Sequence, residues 1–547
     1  MQWIQNYYAL ADNIYLTAFC AAIPMFFLFW ALAIKRMKGY IATFLALVIT
    51  FLVAVIVYRM PITTALSATG YGAMNGLFPL CWLVFNAVLL YNLIMKSGNF
   101  ETIKVSIASV SNDRRIQAIL IGFCFSAFLE GTTAQGAPVA IAAAMMIGLG
   151  FPVMTAAIVC LIGNTVPVAF GPIGMPTIMM SNVSGIGASV VTASVGGVMC
   201  LFALIIPVFM LIIMCGWKAA IEVLPVCIAT SVAYIIPNWF ITQYMGPELP
   251  SLLSPLVSLV GVIAFLKCWK PATVWRFEND APIADSGVSY SSGKIAYAWT
   301  PFILVTVLML IWSTKTFKDF SSSLGFIINI PEWPGLHGVV YKAAPVVTKP
   351  EVYAAIFKFD LLAGIGTALL IISILTTLFF RMKISAFISV FAATIKQLKF
   401  ALLTMLCVLS IAHLSNYSGI SYSLGLAFAA TGPLFMVFSP LIGFLGVFLT
   451  GSVTSSCALF GNLQKVTAIQ LELNPLITVT ASMVGATMGK LVSPQSLAIA
   501  TAATGLVGRE GEILNKTTKY ALTLLGMGIA IMWILASAFP GYFPTVQ

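Results

Sequence analysis

Charge is what this sequence has least of. Only 8% of its 547 residues are Asp, Glu, Lys or Arg, against about a quarter in soluble domains. With 60% hydrophobic residues and a mean hydropathy of +1.03, the chain cannot be solvated as a globule, and a bilayer must be its solvent. The N-terminal Met1–Asn13 stretch lacks the basic n-region and small-residue cleavage site of a secretory signal, so the first apolar run is expected to stay as a span. Two histidines, no H-E-x-x-H and no G-x-S-x-G leave little for a membrane enzyme or a metal centre to work with. The ten cysteines form no C-x-x-C pair, and Cys20, Cys81, Cys124, Cys160, Cys200 and Cys407 lie inside apolar runs. They read as buried thiols acting as small hydrophobes. The Gly489-Lys490 pair is followed by Leu491, so the phosphate-binding Walker pattern fails. No cofactor is expected.

The net charge of +11 does not imply nucleic acid. Most basic residues fall in five clusters: Lys35, Arg36, Lys38; Lys96, Lys104, Arg114, Arg115; Lys267, Lys270, Arg276, Lys294; Arg381, Lys383, Lys396, Lys399; and Arg509, Lys516, Lys519. By the positive-inside rule these mark cytoplasmic turns. Apolar runs able to span occur near 14–34, 40–58, 77–95, 190–215, 219–238, 250–266, 297–313, 360–380, 400–416 and 520–540. The five clusters share one face only if 116–150 and 440–463 enter and leave on one side, as re-entrant hairpins, while 153–182 and 475–508 are single broken spans. The expected fold is therefore an all-α polytopic membrane protein of about 12 spans plus two hairpins, with both termini outside. A cytoplasmic linker, 267–296, separates the halves 1–266 and 297–547, and an outer loop covers 314–357.

A duplicated word order supports two halves. Ser97-Gly98, Leu120-Ile121-Gly122-Phe123 and Phe128-Leu129-Glu130-Gly131 return as Ser418-Gly419, Leu441-Ile442-Gly443-Phe444 and Phe448-Leu449-Thr450-Gly451. The second copy has no Lys, Arg, Asp or Glu between Lys399 and Lys465, as expected of a copy that faces outward, so the repeats are read as inverted. Segments 98–115 and 419–439 are then expected as helices along the two membrane faces. Inverted repeats are the common plan of secondary transporters.

Irregular backbone at membrane depth is tolerated where it lines a cavity. Four breaks qualify: Glu130–Gly136, Asn164–Pro167, Gly451–Ser456 and Lys490–Ser496. Each joins Gly or Pro to small hydroxyl or amide residues. Half-helices starting after them would aim positive dipole ends and free N–H groups at an anion; Ser, Thr and Gly also serve plain helix packing. The candidate substrate contacts are Thr132, Thr133, Gln135, Asn164, Thr165, Ser452, Thr454, Ser455, Ser456, Ser493 and Gln495, with Lys490 as the countercharge. Glu130 is the candidate proton carrier, because burial disfavours the ionised carboxyl. Mutual pairing of Glu130 and Lys490 is the alternative. His413 is taken as a satisfied polar residue.

At these positions the chain resembles the bacterial L-lactate permease family. The match rests on Gly122-Phe123-Cys124-Phe125, Ala127-Phe128-Leu129-Glu130-Gly131, Gly136-Ala137-Pro138-Val139-Ala140, Pro167-Val168-Ala169-Phe170-Gly171, Ser415-Asn416-Tyr417-Ser418-Gly419, Phe448-Leu449-Thr450-Gly451-Ser452 and Ser493-Pro494-Gln495-Ser496, with Ile328-Asn329-Ile330-Pro331 and Phe357-Lys358-Phe359-Asp360 outside the spans. The resemblance implies proton symport of L-lactate, D-lactate or glycolate across the cytoplasmic (inner) membrane of a bacterium, and kinship with the ion transporter superfamily. The chain departs from the family pattern at Thr132-Thr133-Ala134-Gln135, where small apolar residues and an aromatic are usual, at Val453, where the pattern has aspartate, and at Cys457, which replaces an amide. Sodium coupling, a retuned organic-anion substrate and a passive anion channel remain as alternatives. A homodimer is left open.

Overall fold

Several helices begin where the sequence supplies a capping side chain. Asn13, Asp113, Ser291, Ser452, Asn474 and Ser493 each accept a backbone N–H of the turn that follows, which satisfies donors that a helix start leaves orphaned. The structure is a computed structural model and describes residues 2–35, 37–132, 137–277, 290–347, 349–506 and 509–545. Within these, 12 helices are long and apolar enough to cross a membrane. The chain is a predominantly helical, polytopic membrane protein.

The outer shell of this bundle is apolar toward lipid. Ile14–Leu32, Gly39–Val57, Ser292–Trp312 and Glu510–Ala538 each bury only about a third of their spanning window. The opposite extreme is Arg114–Thr132, every residue of which is buried. Such a segment, polar at both ends and enclosed by other helices, is the natural place for a site.

Several boundaries differ from the sequence reading. The run expected at 77–95 is the second part of a stretch from Ile62 to Lys96, interrupted where Phe78 leaves the helical region ahead of Pro79. Gly70, Gly72 and Gly76 dilute the hydropathy of the first part, which hid it. The run at 400–416 begins earlier, at Ile384, since Lys396 and Lys399 lie inside the helix rather than before it. The run at 360–380 is the shorter helix Ile365–Phe379, because Phe357–Asp360 is a strand paired antiparallel with Ile327–Ile330. The loop 314–357 is more structured than expected, holding that pair and the helix Lys315–Ser323. Its Val340–Lys342 strand also takes Trp3–Ile4 as a parallel neighbour and Glu351–Val352 as an antiparallel one. The N-terminal segment is tied down further by Gln5, whose Nε2 donates to the carbonyls of Asn416 and Tyr417 at 2.8 Å each.

Over 116–150 the described chain forms Arg114–Thr132 and Ala137–Gly148, which pack against each other. Phe435–Thr450 and Val453–Gln470 likewise pack against each other. Short helices Phe100–Ala108 and Ile420–Ala429 lead into the two pairs. The segment 153–182 is bent by 52° between Val153–Gly163 and Pro167–Ser184. Its partner runs as Pro475–Gly489, a tight turn Lys490–Val492 and then Pro494–Thr504.

Glycines set how closely these parts meet. A Cβ at Gly163 would overlap the Gly122 carbonyl oxygen, and one at Gly489 the Phe444 carbonyl oxygen. Gly122-Phe123 and Gly443-Phe444 are the same word in its two copies. In both broken segments, then, the glycine that ends the first part packs on backbone of a Gly-Phe word.

Candidate functional site

The residues that follow those two glycines are Asn164 and Lys490, each the C-cap of its half-helix. Both reach one carboxylate. Lys490 Nζ lies 3.0 Å from Glu130 Oε1, and Asn164 Nδ2 donates to Glu130 Oε2 at 2.8 Å. Two oxygens, two partners and burial hold Glu130 in one orientation. The countercharge and the proton carrier of the sequence reading are thus a single ion pair rather than two independent groups.

A cavity of about 810 Å³ adjoins the pair. Glu130 and Lys490 form part of its wall. Three helices start at it: Met175–Ser184, Val453–Gln470 and Pro494–Thr504, through Met175 and Pro176, Val453 to Ser455, and Pro494 to Ser496. Their positive ends and the Lys490 ammonium face the cavity together with the carboxylates of Glu130 and Glu510. The remaining helices supply the far wall, where Tyr40 and Phe400 stack with ring centroids 4.4 Å apart. A recess of about 10 Å³ sits beside it, lined in part by Asn164, Thr165, Val168, Thr487, Lys490 and Ser496. Lys490, Val168 and Ser496 border both spaces.

The expected site residues divide into three groups. Ser452, Thr454, Ser455, Gln495 and Lys490 line the cavity, and Asn164 and Thr165 line the recess. Thr132, Ser456 and Ser493 do not. The Thr132 hydroxyl donates back to the carbonyls of Phe128 and Leu129 in its own helix. Ser456 donates to the Gly443 carbonyl at 3.2 Å and so joins two helices. Ser493 caps Pro494–Thr504, bonding Ser496 through its hydroxyl. Thr133 and Gln135 lie outside the described residues.

Sequence reasoning missed several wall residues. Ser496 and Thr487 face the recess, and Thr450 the cavity. Thr450 stands where the first copy of its word has Glu130, so the repeat itself pointed to it. A further interruption at Gly171–Gly174 was also missed: Gly171, Ile173 and Gly174 have φ of 51°, 48° and 76°. Positive φ at a β-branched residue such as Ile173 is uncommon, and this kink turns Met175 into the cavity. Tyr40, Phe400, Thr404 and Glu510 come from distant helices and carry no local signal. His413 packs edge-on to Tyr71 at 5.1 Å, with its Nε2 unpartnered among the described residues. The sequence reading of a satisfied polar residue does not hold for that atom.

A polytopic helical bundle with a buried charged pair beside an internal cavity has the architecture of a membrane transport protein. The family model described as L-lactate permease matches residues 17–539. The L-lactate permease of Bacillus subtilis is 39% identical, with all of both chains covered. The L-lactate permease of Escherichia coli K12 is 42% identical over 95% of this chain and 96% of its own. The glycolate permease GlcA of the same organism is 40% identical over 98% and 99%. The solved YdaH transporter of Alcanivorax borkumensis aligns with 88% of this chain and 89% of its own at 14% identity and a TM-score of 0.44. The chain belongs to the L-lactate permease family.

Proposed function

We propose that this protein is a secondary active transporter that moves one small 2-hydroxymonocarboxylate, L-lactate, D-lactate or glycolate, together with one proton across the cytoplasmic membrane. The names of its relatives support the substrate class. The observation that carries the coupling is the Glu130–Lys490 pair on the cavity wall.

Without substrate the Glu130⁻–Lys490⁺ pair is neutral, with Glu510 as a further carboxylate on the cavity wall. An incoming carboxylate competes with Glu130 for the Lys490 ammonium. Once displaced, Glu130⁻ would be a buried charge without a cation, which costs several kcal/mol in an enclosed site, on the order of 3–5 when one partner of a buried pair is removed. Taking a proton from the cavity removes that charge. The loaded site is then substrate⁻, Lys490⁺ and neutral Glu130, again with no net charge. Substrate without proton leaves the site at −1, and proton without substrate leaves it at +1. Both are disfavoured during passage through low dielectric. Substrate and proton therefore cross together, one of each.

The cavity wall includes Met37, Gly39, Tyr40 and Glu510, next in sequence to basic residues assigned to the cytoplasm. Its mouth is read as facing inward. The matched glycine contacts at Gly163 and Gly489 support two inverted halves, 1–266 and 297–547, joined by the 267–296 linker. In this reading 116–150 and 440–463 are hairpins that move with the two broken segments past the remaining helices. The termini lie outside.

Counterflow of labelled L-lactate in proteoliposomes, repeated under imposed pH and sodium gradients, tests the function. An inward proton gradient should accelerate uptake and a sodium gradient should not. Glu130→Gln should remove the acceleration while lactate exchange persists. Full gradient-driven uptake in that variant would reject Glu130 as the coupling group.

A further inference from the structure

Asn164 gives only half of its amide to Glu130. Nδ2 donates to the carboxylate, but Oδ1 is buried with no hydrogen-bond partner among the described residues, and so is the neighbouring Thr165 hydroxyl. Asn164 is 3% exposed and Thr165 2%. Buried polar atoms are nearly always paired, because an unmade bond there forfeits the full desolvation cost. Both residues line the recess of about 10 Å³, roughly the room one water-sized group needs. Lys490, Val168 and Ser496 line both the recess and the cavity.

The chemistry of the recess selects its occupant. Asn164 Oδ1 can only accept a hydrogen bond, and Thr165 can accept or donate. Lys490 on the same wall disfavours a cation. Val139, Leu161, Val168 and Leu491 add apolar wall and Thr487 and Ser496 add hydroxyls, a small lining of mixed polarity that disfavours anything large or charged. A hydroxyl fits: it donates to Asn164 Oδ1, and its oxygen accepts from Thr165.

We propose that Asn164 Oδ1 and Thr165 Oγ1 form the subsite that reads the 2-hydroxyl of the transported acid, while Lys490 holds its carboxylate one carbon away. The subsite rests on the proposed function, since it needs the carboxylate at Lys490. It distinguishes lactate from propionate and glycolate from acetate, which lack the donor. It also disfavours pyruvate, whose carbonyl oxygen would oppose the amide oxygen, acceptor against acceptor. Asn164 thereby serves two groups at once, holding Glu130 through Nδ2 and the substrate through Oδ1.

Competition in the counterflow assay tests this. Unlabelled lactate, propionate, glycolate, acetate and pyruvate are titrated against labelled L-lactate in the full-length protein. The wild type should favour lactate over propionate, and glycolate over acetate, by about tenfold or more. Thr165→Val, which keeps shape and leaves the Glu130 contacts intact, should weaken lactate about tenfold with propionate unchanged. Asn164→Leu should collapse the preference further, and its response to a proton gradient should change as well. Equal weakening of lactate and propionate in Thr165→Val would overturn the subsite, as would a wild type indifferent to the hydroxyl. Absence of wild-type lactate counterflow would instead reject the transport reading, and the subsite with it.

Discussion

The two broken segments share a frame and differ in equipment. Gly163-Asn164 and Gly489-Lys490 end matching half-helices, and both glycines rest on backbone of the same duplicated word. Yet one cap is a neutral amide and the other an ammonium. The pair tips differ too: Glu130 in one copy and Thr450, bonded to the carbonyls of Gly446 and Ser452, in the other. Both segments pack closely on a Gly-Phe word, while the carboxylate comes from one part of the chain and the ammonium from the other. The two segments are alike in how they pack and differ in the charge they bring to the site. A symmetric pair of carboxylates or of lysines would leave net charge in the site.

Removing the charge asymmetry should have the largest effect. Lys490→Gln strands Glu130, a change of about 3–5 kcal/mol for one partner of a buried pair. Uptake should fall by two orders of magnitude or more, with a lower melting temperature of the detergent-solubilised protein. The double change Glu130→Gln with Lys490→Gln should recover the melting temperature and not the uptake. Recovery of gradient-driven uptake would show that the pair is structural.

Testing the shared frame comes next. Gly163→Ala and Gly489→Ala each force a Cβ onto a carbonyl oxygen, where overpacking costs about 1–3 kcal/mol. Similar losses of thermal stability in both variants would sharpen the likeness of the two halves, and a loss confined to one would break it. The caps should matter least. Ser452→Ala and Ser493→Ala each remove an N-cap worth about 1 kcal/mol. Their stability cost should be alike, while only Ser452→Ala, on the cavity wall, should also raise KM for lactate.

Much of this site was legible in the sequence because it sits at breaks. Gly, Pro and small polar residues inside apolar runs are conspicuous, and they located Glu130, Asn164, Thr165, Ser452–Ser455 and Lys490. What those residues bind was not legible. The Glu130–Lys490 contact joins positions 360 apart, and no local pattern distinguishes a mutual pair from two separate roles. Thr132, Ser456 and Ser493 carry the right chemistry but spend it on helix carbonyls and a cap, since a hydroxyl on a helix can turn to either side. The far wall, Tyr40 and Phe400 among it, comes from helices whose sequence reads only as lipid-spanning. Of the fold, the long apolar runs were plain, whereas Ile62–Asn75 was concealed by its glycines, and the kink at Ile173, though flanked by Gly and Pro, lacks the polar residues that marked the other breaks.

Charge movement during transport tests the central claim most directly. With the protein reconstituted in proteoliposomes on a solid-supported membrane, a jump in lactate concentration at symmetric pH should produce no sustained current. A potassium diffusion potential should likewise leave uptake unchanged, while a pH gradient drives it, because Glu130 neutralises as Lys490 takes the substrate. A sustained lactate-dependent current in the wild type, or uptake driven by membrane potential alone, would contradict the exchange of partners at Lys490.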